Sequence, residues 1–142
     1  MKFIKNLTFL YLIFLSINLS GHEFSPAHLI MNEKEDSNYE ATWMYPIRSI
    51  GERASLLFPQ NCSALNQIPY KQGKYSIEKI SLSCDSSIRG AEIKVVGLSV
   101  LNDALVTINF LEAKRFEGLI NLKNSTIKIP EDEQTFPTAY FI

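Results

Sequence analysis

The chain has 142 residues, 46% of them hydrophobic and 20% charged, with 14 Lys plus Arg against 15 Asp plus Glu for a formal net charge of −1. That balance leaves no surplus of positive charge to neutralise phosphates, which argues against nucleic acid or an anionic lipid as a partner. Two His, two Cys, one Trp and six Gly without phosphate-loop spacing supply little for a catalytic triad, a metal cage or a nucleotide cradle.

Residues 1–21 read as a signal peptide. Lys2 and Lys5 form a short positive start, residues 7–19 are apolar apart from Thr8, Ser16 and Asn18, and the small Ser20 and Gly21 follow. An apolar run of about thirteen residues is short for a hydrocarbon layer roughly 30 Å thick, so cleavage after Gly21 is expected. The competing reading is an uncleaved N-terminal anchor. No Cys stands beside the small residues to carry a lipid. Cleavage would make His22 the new N-terminus and place the domain in an oxidising periplasmic or other extracytoplasmic space.

Beyond the signal, period-two alternation dominates and predicts strands. The first is expected over residues 24–31. Tyr39, Ala41, Trp43 and Tyr45 then fall on one strand face with Glu40 and Thr42 opposite, and Ala54, Leu56 and Phe58 repeat the pattern before Pro59. Residues 60–74 are polar, contain Pro and Gly, and read as a long loop. Ile80, Leu82 and Cys84 share a face, with Lys79, Ser81 and Ser83 turned outward. Further strands are expected over 93–96, 104–111, 115–121 and 125–129, separated by Ser-Ser, Asn-Asp and Lys-Asn turn signals. About eight short strands predict an all-β, antiparallel immunoglobulin-like sandwich over residues 22–130, with a small closed barrel as the alternative. Residues 131–142 form an acidic, then aromatic tail, in which Phe136, Tyr140 and Phe141 are candidate partner-binding residues.

In an exported chain, exactly two Cys in neither a redox nor a zinc spacing predict a Cys62–Cys84 disulfide, tethering the loop to the core-facing end of a strand. Free thiols or a metal pair are the alternatives. The aromatic row around Trp43 reads as core, with a ligand platform as the second reading. Ser25 and His28 are three residues apart on one expected strand and so face opposite ways, which removes a nucleophile–base pair. Glu40, Glu78 and Glu92 read as scattered surface carboxylates. No enzyme is expected.

Several residues, taken in order, resemble a family. His22-Glu23, Pro26-Ala27 with Leu29, Tyr39 with Trp43 and Pro46, Phe58-Pro59 then Cys62, Cys84, and Gly90 leading into Ile93-Lys94-Val95-Val96-Gly97-Leu98 with Leu105-Val106 beyond are similar to the extracytoplasmic domain of HupE/UreJ-like membrane proteins. The resemblance covers roughly residues 22–129. It implies an exported domain that precedes a bundle of transmembrane helices, with nickel or cobalt handling by analogy. This sequence lacks those helices and carries Ser25 and His28 where the family often has Arg and an aromatic residue. The expectation is therefore a stand-alone or truncated docking or accessory module whose partner, or missing half, is a membrane protein. The second expectation is a transition-metal module. His22, Glu23 and His28 would bind Ni, Cu or Co weakly through the new N-terminus, and no other cofactor is expected. His28 lies about 20 Å from His22 in a continuous strand, so joint ligation needs a bend at Ser25-Pro26 or a second molecule.

Overall fold

The computed structural model describes residues 25–35, 37–47, 53–99 and 102–131. The predicted signal peptide, His22, Glu23, and the tail residues Phe136, Tyr140 and Phe141 lie outside the described residues.

Successive side chains of a strand point to opposite faces, and the alternation in the sequence sorts them accordingly. In β1 (Ala27–Glu33), Ala27, Leu29 and Met31 are buried; in β2 (Asn38–Pro46), so are Tyr39, Ala41, Trp43 and Tyr45. The two strands pair antiparallel, with Leu29 opposite Trp43. Asn38 holds their connection by donating its side-chain amide to the Glu35 carbonyl at 3.1 Å. After β3 (Ser55–Leu57), the chain makes two short strands, β4 (Cys62–Asn66) and β5 (Tyr70–Gln72), and then the long β6 (Tyr75–Cys84). Next come β7 (Glu92–Val96), β8 (Ala104–Asn109), a single 3-10 turn at Leu111–Ala113, β9 (Arg115–Ile120) and β10 (Thr126–Lys128).

Seven strands form one sheet in the order β4-β6-β2-β1-β8-β9, with β5 also paired to β6, and β10-β7-β3 form the other. The inner faces meet in one core that includes Trp43, Leu29, Met31, Leu82, Ile93, Val95 and Val106. The expected sandwich-like arrangement is therefore present, as two sheets rather than one closed barrel. Among the described residues no helix is long and apolar enough to cross a membrane.

Three details differ from the expectation. Residues 60–74 are not a loop: β4 and β5 both add to β6, and Gly73, at φ +57°, makes the tight turn that joins β5 to β6. All of β4 past Cys62 and all of β5 are exposed, so neither strand has a buried face to impress an alternation on the sequence. The sheet is also not wholly antiparallel. β1 and β8 run parallel, with Leu29 opposite Val106. Third, β1 starts at Ala27, so Ser25 precedes the strand.

Cys62 and Cys84 are directly opposite in the β4–β6 register and are joined by a disulfide. The bridge thus staples neighbours within one sheet, whereas the immunoglobulin pattern pins one sheet to the other. Where β9 meets β10, Gly118 permits a close approach. A Cβ at that position would lie 1.8 Å from the Ile127 side chain, which fills the space instead.

Candidate functional site

The small sheet is half as wide as the large one, three strands against six abreast, and its edge strand β3 leaves a cleft against β4 and β6. The cleft holds about 270 Å³ and has an apolar interior of Trp43, Leu56, Phe58, Ala64 and Ile80. Its polar margin is one cluster. Glu78 shares strand parity with Ile80 and Leu82, so its side chain lies on the inner face of β6, opposite Trp43. Arg53 reaches across from two residues before β3 and its guanidinium donates to Glu78 Oε2 at 2.7 Å. Asn66, at the end of β4, donates its side-chain amide to Glu78 Oε1 at 2.8 Å. The expectation that Glu78 is a scattered surface carboxylate is therefore corrected: it is largely covered, with 16% of its side chain exposed, and both oxygens are engaged. Parity with Ile80 was the available signal. Arg53 and Asn66 had none, because each meets Glu78 only through the fold.

Chemically, this arrangement orders three side chains without freeing any of them. A carboxylate that accepts from a guanidinium and an amide is fixed in position by both. The cleft lies near the lower end of the range of small-molecule pockets, and its lining mixes apolar side chains with the polar Arg53, Ser55, Asn66 and Glu78.

No family model, curated protein or solved structure matches this chain.

The other residues singled out in the sequence are dispersed. His28 is on the outer face of the large sheet, half-buried, with its ring edge-on to Tyr75 at 6.0 Å between centroids. Burial pushes its pKa below the ordinary value. Glu40 is exposed and pairs with Lys34 at 3.4 Å, and Glu92 is exposed on β7. Trp43 is 1% exposed and donates its indole N–H to the Ala54 carbonyl at 3.3 Å, which makes it core rather than a platform. Among the described residues, no three His, Cys, Asp or Glu side chains gather into a group that could hold a metal ion.

Proposed function

We propose that the chain is an exported, non-catalytic β domain that serves as a docking or accessory module of a HupE/UreJ-like membrane protein, either standing alone or cut from a longer one. The observation that supports the non-catalytic part is the tethering of Glu78. The carboxylate at the mouth of the cleft is engaged by Arg53 and Asn66, and no His, Cys or second carboxylate lines the cleft beside it. Export is supported by the Cys62–Cys84 bridge, because disulfides persist in oxidising compartments. Association with a partner is supported by apolar side chains left exposed away from β4 and β5, Leu57, Leu119 and Leu122 among them.

Intact-mass analysis of the protein recovered from an exported fraction tests the first part. The expected species begins at His22 and has no alkylatable thiol. A mass that retains residues 1–21, or two free thiols, would reject export with cleavage. Chemical crosslinking in the native membrane tests the second part. Recovery of a polytopic membrane protein of this family supports the module, and recovery of the uncrosslinked chain alone counts against it.

A further inference from the structure

The β4–β5–β6 margin differs in chemistry from the rest of the surface. Between Cys62 and Cys84 the sequence has one acid, Glu78, and that side chain faces inward. The cations of the same stretch face the other way or sit on the β5–β6 hairpin. Lys79 projects from the outer face and donates to Thr42 Oγ1 at 3.0 Å, Lys74 lies 5.8 Å from the centre of the Tyr75 ring, and Lys71 is exposed on β5. A chain of net charge −1 thus carries a basic margin.

The two most exposed large apolar side chains of the described residues are in the same place. Ile68 is 91% exposed and Leu65 is 72% exposed, with Tyr70 beside them at 48%. Apolar tips flanked by tyrosines and lysines match a bilayer interface, where aliphatic groups enter the acyl boundary, aromatic rings sit at headgroup level and ammonium groups meet anionic lipid.

We propose that this margin, centred on residues 68–75, docks on an anionic lipid surface. Backbone geometry favours a lipid over an added strand. A partner strand needs an unbroken edge, and here β4 and β5 are separated by residues 67–69, where Pro69 offers no N–H. The apolar tips are also held firmly. Tyr70 is fixed opposite Ile77 in the β5–β6 register, Gln67 N–H donates to the Lys79 carbonyl at 2.9 Å, and the disulfide anchors the start of β4. The proposal goes beyond the module reading and does not depend on it, because it concerns bare lipid and needs no protein partner.

The test uses the full chain with Ile68→Trp as a local reporter. Trp43, the native indole, is buried and gives a constant background. With the reporter, the emission is expected to shift blue on adding vesicles of equimolar phosphatidylcholine and phosphatidylglycerol, and to stay put with phosphatidylcholine alone. Adding Lys71→Gln and Lys74→Gln is expected to weaken the anionic-vesicle response on the order of 25-fold, about fivefold per lysine. Lys94→Gln with Lys128→Gln, on the opposite sheet, is expected to leave it unchanged. Any contribution from the apolar N-terminal segment is common to every sample, and the reporter reads only its own surroundings. No shift with anionic vesicles, an equal shift with neutral ones, or an equal loss from the Lys94 and Lys128 changes would each overturn the proposal. Matching thermal melts of all variants confirm that folding is intact.

Discussion

Tyr39 and Tyr45 share the buried face of β2, yet their hydroxyls differ. Tyr39 Oη donates to Glu33 Oε1 at 3.3 Å and accepts from the Ile88 backbone N–H at 3.4 Å, which links β1 to the segment before β7. Tyr45 Oη is buried without a hydrogen-bond partner among the described residues. Removing a hydroxyl that satisfies a buried N–H leaves that donor orphaned, whereas removing an unpaired hydroxyl does not. Tyr39→Phe is therefore expected to lower stability by about 1–2 kcal/mol, and Tyr45→Phe to be neutral or stabilising, as read from urea denaturation followed by circular dichroism. His28 gives a prediction in pH. Burial lowers its pKa in the folded state, so the unfolded chain takes up a proton first as the solution is acidified. Its stabilising contribution is full above about pH 6.5 and is lost as the pH falls through the folded value. The melting temperature of the wild type is expected to drop more than that of His28→Gln between neutral pH and about pH 5, and parallel curves would remove His28 as the cause.

At the scale of elements, β6 organises one half of the molecule, because β2 pairs along one of its edges and β4 and β5 share the other. Its alternation was legible, with Ile80, Leu82 and Cys84 buried as the pattern requires. β4 and β5 were not legible from burial, since almost nothing in them is covered. The available signal was Gly73 between two tyrosines, Tyr70 and Tyr75, a spacing suited to a tight hairpin. An exposed edge strand has few apolar contacts to hold it, and the Cys62–Cys84 bridge supplies what packing does not. Replacing both Cys with Ala is expected to reduce stability by about 3 kcal/mol, or on the order of 10–20 °C in melting temperature. Amide hydrogens of β4 should then exchange before those of β2, which separates local fraying from global loss. Equal exchange in the two strands would show that the bridge acts on the whole domain.

For the whole molecule, the two-sheet architecture and most strand positions could be read from local patterns, because inner residues such as Leu29, Trp43, Leu82 and Ile108 recur with a period of two. Strand order could not. Which edges meet is decided by contacts between distant parts of the chain, and neither the β1–β8 parallel pair nor the Arg53–Glu78–Asn66 cluster leaves a trace in any short window. That parallel pair bears on how the protein is made. β1 occupies the middle of the large sheet and is among the earliest strands synthesised, yet Ala27 waits for Ala104, some 77 positions later, before its second edge is covered. At ribosomal speeds of 5–20 residues per second, the delay is roughly 4 to 15 seconds. Throughout that interval an apolar strand has one edge open to any neighbour, so the nascent protein has to be shielded by a chaperone or held unfolded until its last third emerges.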